Sequence, residues 1–218
     1  MTTPADIAGA ITRRVEKHLH DVQGCWPHAF PVRLGTQREL EADPVGTFDA
    51  DNAVRAWTER LATEPVQAPE MPVDTVLVVE NKDTYQAIPS MPRALCVFGS
   101  GAAVSRLRTL LPWCVNGGVR VVYWGDMDAD GLEILARLRA TGVACASLCM
   151  DRETYDAYAQ FGTTLSADGS PIPRREPKEG LCLTDEEVAL YRALCTGALP
   201  NPRVEQERIP IAQAIARL

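Results

Sequence analysis

The chain has 218 residues, 46% hydrophobic and 23% charged, a composition ordinary for a globular protein of one or two domains. Its formal charge of −7 argues against nucleic-acid binding by bulk electrostatics alone, so phosphate contacts would need a local patch, a bound cation or a basic partner. No run reaches the ~18 consecutive apolar residues of a membrane span, and the start Met1-Thr2-Thr3-Pro4-Ala5-Asp6-Ile7 lacks the basic and apolar regions of a signal peptide, so the expected location is the cytoplasm, with no membrane partner.

In chain order, Thr3 reads as an N-cap with Pro4 in the first turn, opening a helix to about His20. A second helix is expected from Asp51 to Leu61, with Val54, Trp57 and Leu61 on one face. Pro65, Pro69 and Pro72 then mark a linker. The expected organisation is an N-terminal helical region over 1–63, a Pro-rich linker over 64–73, and a second domain with a C-terminal helical extension over 74–218.

Beyond the linker the pattern becomes regular. Strands are expected at Thr75–Val79, Ala94–Phe98, Val119–Trp124 and Ala144–Met150. Between them lie a short helix from about Asp83, a helix opened by Gly99-Ser100-Gly101 and running through Leu111, and a helix from Leu132 to Ala140. Residues 166–180 read as an exposed loop, followed by helical patterning from Thr184 to about Leu194. Continuous apolar strands alternating with helices predict an α/β fold, a Rossmann-like four-stranded parallel sheet flanked by helices. In such sheets sites form beyond the carboxyl ends of the strands, and Glu80, the Gly99-Ser100-Gly101 turn, the acidic turn Gly125–Gly131 and Asp151 all fall there. The seven cysteines contain no C-x-x-C pair, and several sit in apolar runs, as expected of buried thiols in a reducing compartment.

The acidic turn carries Asp126, Asp128 and Asp130. Carboxylates packed so closely repel one another unless a cation sits among them; a solvated Asx-turn is the plainer alternative. An EF-hand is excluded, because its twelfth position, which must be a bidentate Glu, is Arg137. A phosphatase with an aspartyl nucleophile would share the paired aspartates, but here they follow the third strand and leave Glu80, at a distant strand end, unexplained.

A Glu closing the first strand and an Asp-x-Asp closing the third resemble the toprim domain of topoisomerases, primases and related nucleases. More narrowly, Val79-Glu80-Asn81-Lys82-Asp83-Thr84-Tyr85, Val97-Phe98-Gly99-Ser100-Gly101, Tyr123-Trp124-Gly125-Asp126-Met127-Asp128, Leu148-Cys149-Met150-Asp151-Arg152 and Val204-Glu205-Gln206-Glu207-Arg208-Ile209 resemble, in order, blocks of the toprim nuclease subunit of Wadjet plasmid-defence systems (JetD-like). The opening Thr2–Ile7 and Trp57 resemble that family's N-terminal domain. The long segment that the family carries ahead of its catalytic strand has no counterpart here, which leaves dimerisation and DNA clamping open.

The resemblance implies a magnesium-dependent DNA endonuclease with a two-ion site, Mn²⁺ being the alternative ion. It implies double-stranded plasmid DNA and SMC-like ATPase subunits as partners, with a second copy of the chain as a further candidate. Asp126 and Asp128 are the expected catalytic metal ligands, and Glu80 is either a ligand to a second ion or the general base. Asp130 either joins the ligands or supports them from behind. Lys82, Ser100 (at a turn opening a helix), Arg106, Arg108, Arg174 and Arg175, with Lys178, are the candidates for DNA-backbone contacts, a solvated surface being the alternative for the basic ones. Glu205–Arg208 reads as a charged surface with no catalytic role. Two other functions remain open: a shortened, weakly active or inactive DNA-binding or assembly subunit, and a small-molecule phosphohydrolase. A topoisomerase is disfavoured, since Tyr123 lies within a strand and the other four tyrosines read as helix-face packing.

Overall fold

The computed structural model describes Val32, Arg33 and residues 73–218 apart from Ser90, Ser100 and Gly117. The expected helices over 3–20 and 51–61 and most of the linker therefore lie outside the described residues. In chain order the elements are β1 (Val32–Arg33), β2 (Thr75–Val79), α1 (Lys82–Ala87), β3 (Ala94–Phe98), a 3₁₀ segment Gly101–Arg106 leading into α2 (Leu107–Leu110), and α3 (Pro112–Asn116). There follow β4 (Arg120–Trp124), β5 (Met127–Asp128), α4 (Ala129–Ala140), β6 (Cys145–Ser147), α5 (Arg152–Tyr158), α6 (Asp185–Thr196), β7 (Arg203–Val204) and α7 (Ile211–Ile215). Among the described residues no helix is long and apolar enough to cross a membrane.

The four expected strands form a parallel sheet, order β3-β2-β4-β6, and β1 adds a short fifth strand beside β3. Val76, Leu77, Val78 and Val79 are each 0% exposed. Successive side chains of a strand point to opposite faces, so this run means that both faces of β2 are covered. The chain visits one side of β2 through β3, then crosses to the other side through β4 and β6. The reversal creates a crevice beyond the carboxyl ends of β2 and β4, the place where open α/β sheets bind ligands. Val79 pairs with Trp124, so Glu80 and Gly125 leave the sheet side by side.

Several boundaries differ from the sequence expectation for local reasons. The helix after the acidic turn starts at Ala129 rather than Leu132, because Asp128 caps it by accepting the Gly131 N–H at 2.7 Å. The segment after Gly101 begins as 3₁₀, and its α-helical part stops at Leu110; Leu111, which precedes Pro112, leaves the helical region. The last expected strand shortens to Cys145–Ser147, since Leu148–Met150 turn and Cys149 takes a positive φ of 54°. Residues 166–180 are not featureless: Leu165 and Pro171 form an antiparallel bridge, closed by Ser166 N–H donating to the Ser170 carbonyl at 2.8 Å. Of the described cysteines, Cys96, Cys114, Cys145, Cys149 and Cys195 are buried, as expected, while Cys182 is exposed.

Helix α6 starts in a capping box between Thr184 and Glu187 and ends at Gly197 in the left-handed region. The Glu187 carboxylate also receives the Arg139 guanidinium of α4 and the Ser147 hydroxyl, the latter at 2.7 Å, joining α4, β6 and α6. Burial pushes this carboxyl up, but Arg139, the Thr184 N–H and Ser147 together hold it below the usual Glu value. A depressed folded-state pKa adds stability above the unfolded value, and that stability is lost as pH falls through the folded one. Glu187→Gln is therefore expected to cost about 2 kcal/mol at pH 7, with the deficit shrinking below about pH 4.5; urea unfolding of both proteins across pH 7 to 3 measures it.

Candidate functional site

At the crevice the backbone closes first. Glu80 N–H continues the ladder by donating to the Trp124 carbonyl at 3.0 Å. A Cβ on Gly125 would stand 2.5 Å from both Glu80 Oε2 and the Tyr123 hydroxyl, so only glycine lets the Glu80 carboxylate lie against the turn that carries Asp126. Gly131 is constrained similarly, since a Cβ there would stand 2.2 Å from the Asp126 carbonyl oxygen. The Tyr123 hydroxyl, fully buried, donates to Glu80 Oε2 at 2.5 Å.

The acidic turn is held from the C-terminal side. Strand β5 pairs antiparallel with β7, placing Met127 opposite Val204 and Asp128 opposite Arg203. Arg203 Nε donates to Asp128 Oδ2 at 2.6 Å. Beyond β7, Gln206 is fully buried and makes three bonds to the strand ends and the acidic turn. Its backbone N–H donates to Asp126 Oδ1 at 2.8 Å, its Nε2 donates to the Trp124 carbonyl at 3.1 Å, and its Oε1 accepts the Asn81 N–H at 3.0 Å. Asn81 caps α1 through Thr84 N–H at 2.9 Å and also donates to Glu207.

Glu80, Asp126 and Asp128 thus share one partly buried neighbourhood and feel one another's charge. Burial pushes the Asp126 carboxyl up to about 7; the Gln206 N–H opposes this, and the charges of Asp128, Glu80 and Glu207 add to it. Glu80 is raised by burial first, then by Asp128 and Asp130, against the Tyr123 hydrogen bond and Arg203. Asp128, 4% exposed, is raised by burial and Asp130 despite its bonds from Gly131 and Arg203. An all-oxygen, mutually repelling carboxylate set suits a hard divalent cation. Among the described residues, however, no three His, Cys, Asp or Glu side chains already stand as a metal cage. Tyr123, Gln206, Gly131 and Arg203 hold these carboxylates instead.

The remaining expected residues distribute unevenly. Asp130 is exposed and pairs with Arg175 at 2.8 Å, and Arg175 also pairs with the buried Glu133 at 3.0 Å. Arg175 is thereby a counter-ion of the turn and of α4, and Lys178 likewise pairs with Glu133. Lys82 is exposed at the start of α1, two residues past Glu80. Arg108 donates to the Thr141 carbonyl at 2.7 Å, at the far end of α4 from the acidic turn, roughly 18 Å along a helix of that length. Arg106 is half-buried, with Nη1 buried and lacking a hydrogen-bond partner among the described residues. Arg174 is exposed and packs across Gly197. Ser100 lies outside the described residues. Asp151 caps α5 through the Thr154 N–H at 2.7 Å and pairs with Arg217, while Arg152 pairs with Asp156.

Sequence reasoning missed Tyr123, Arg203 and Gln206 as members of this site. The clue to Gln206 was its period: the chain stays extended through Val204 and Glu205, so Gln206, which opens a 3₁₀ turn, falls on the same inward side as Val204.

The family described as Wadjet protein JetD, C-terminal, matches residues 45–218, about four-fifths of the chain. No curated protein matches it.

Replacing Gln206 with Leu keeps the volume but strands the Asn81 N–H and takes from the Trp124 carbonyl the second of its two donors, the Glu80 N–H remaining. At about 1–3 kcal/mol for an unsatisfied buried group, Gln206→Leu should lower unfolding free energy by about 2 kcal/mol in urea titrations.

Proposed function

The chain belongs to the Wadjet JetD C-terminal family, and from that premise we propose that it is a metal-dependent toprim endonuclease that cuts plasmid DNA within a Wadjet defence complex. The observation that carries this reading is the gathering of Glu80, Asp126 and Asp128 at the β2–β4 crevice, buried enough to raise all three carboxyls. Oxygen donors at a topological switch point suit Mg²⁺ or Mn²⁺ and a phosphate substrate. Two bound ions, held by Asp126, Asp128 and Glu80 with Asp130 at the rim, would neutralise the scissile phosphate and lower the pKa of a water.

The chain's own residues then divide the work. Tyr123 holds Glu80 Oε2, which leaves Oε1 to hold the second ion or, in the alternative role, to accept the proton of an attacking water. The water oxygen bonds to phosphorus as one P–O bond to a sugar breaks, and the leaving oxygen takes a proton from solvent. Gln206 keeps Asp126 aimed by its backbone N–H, and Gly131 N–H does the same for Asp128. Double-stranded DNA is the proposed substrate, SMC-like ATPase subunits the proposed partners, and the cytoplasm the proposed location.

A second reading, a DNA-binding or assembly subunit that does not cut, draws support from the commitment of Asp128 to Arg203. Nicking of supercoiled plasmid in Mg²⁺ or Mn²⁺, with and without the partner Wadjet subunits, separates the two. The nuclease reading expects metal-dependent nicks that fall at least ~100-fold in Glu80→Gln and Asp126→Asn. No cleavage even with partners present favours the second reading, and turnover of a chromogenic phosphomonoester without nicking favours a small-molecule phosphohydrolase.

A further inference from the structure

Arg203 is the cation built most deeply into the acidic site. Its backbone is held on both edges, by Asp128 across the β5–β7 ladder and by Thr163, whose N–H donates to the Arg203 carbonyl at 2.9 Å. Its Nε is committed to Asp128 Oδ2 at 2.6 Å. Among the described residues this is the guanidinium's one hydrogen bond, so the two Nη nitrogens are left over on a side chain that is 22% exposed. The charge of Arg203 is felt by Glu80, Asp126 and Asp130 as well as by Asp128. A rigidly anchored guanidinium with a free pair of nitrogens beside the reacting centre has the planar fork that matches two oxygens of a phosphate.

We propose that Arg203 is a phosphate-binding residue of this site, holding Asp128 through Nε while its Nη pair takes non-bridging oxygens of the DNA backbone next to the cut. The inference rests on the DNA-cleaving reading and deepens it. It also gives Arg203 two tasks that Arg175, Lys178 and Arg108 lack, since Arg175 and Lys178 are occupied by Asp130 and Glu133, and Arg108 sits at the opposite end of α4.

The test is fluorescence anisotropy with a labelled 30-base-pair duplex across a salt series (about 30 base pairs exceeds the footprint of a single module), in EDTA and in Ca²⁺, for the full chain. Arg203→Gln, which keeps a donor for Asp128 but removes the charge and the fork, should bind about tenfold more weakly, with the salt dependence falling by about one phosphate contact. Arg203→Lys, which keeps the charge without the fork, should lie between Arg203→Gln and the wild type. Thermal unfolding in EDTA identifies a variant that has lost its fold, and Arg203→Lys then carries the comparison. Wild-type binding with an unchanged affinity and salt slope in folded Arg203→Gln overturns the inference and leaves the nuclease reading standing. Absence of duplex binding by the wild type in both buffers overturns the DNA reading itself, and the inference with it.

Discussion

The side chain of Gln206 spans the ends of the two central strands, accepting from Asn81 just beyond β2 and donating to Trp124 at the end of β4, while its own N–H reaches Asp126. A parallel sheet ends with backbone groups that have no further strand to pair with, and in a buried crevice each must find another partner. Here one amide pairs the Asn81 N–H beyond β2 and adds a second donor to the Trp124 carbonyl, which also accepts the Glu80 N–H. The C-terminal segment that supplies it also supplies Arg203 to Asp128 through the β5–β7 ladder. The geometry of the acidic turn therefore depends on residues nearly eighty positions further along the chain, and the crevice is complete only when that segment is docked.

The same docking sets the electrostatics. Burial alone would drive Glu80, Asp126 and Asp128 toward neutrality, and their mutual repulsion acts in the same direction. The fold answers with internal donors of different strength: a hydroxyl on Glu80, backbone N–H groups on Asp126 and Asp128, and a guanidinium on Asp128. Asp130, at the surface, is matched by Arg175, which is itself tied to Glu133 of α4. A divalent cation would enter a site already organised for negative charge, in competition with these donors rather than in an empty cage.

Much of this was legible in the sequence because its signals are local. Unbroken apolar runs announced β2 and β3 to the residue, and the alternation of strands and helices announced the parallel sheet. The position of Glu80 and Asp126 followed from the rule that sites form at strand ends. The ladder between Met127–Asp128 and Arg203–Val204 was not legible, since two-residue strands leave no periodic pattern. Glu205–Arg208 looked like a charged surface because three of its four residues are charged, and the buried one is polar. The roles of Arg108 and Arg175 were likewise hidden, because sequence shows that a side chain is basic but not which carbonyl or carboxylate has already claimed it.

The central claim is that Glu80 and the aspartates of the turn converge on a divalent ion. Crystals soaked in Mn²⁺ and measured for anomalous scattering test it most directly. The account predicts a peak at the β2–β4 crevice with oxygens of Glu80 and of Asp126 or Asp128 about 2.1 Å away. Mn²⁺ bound only elsewhere, with Asp128 still paired to Arg203 and Glu80 to Tyr123, would contradict it.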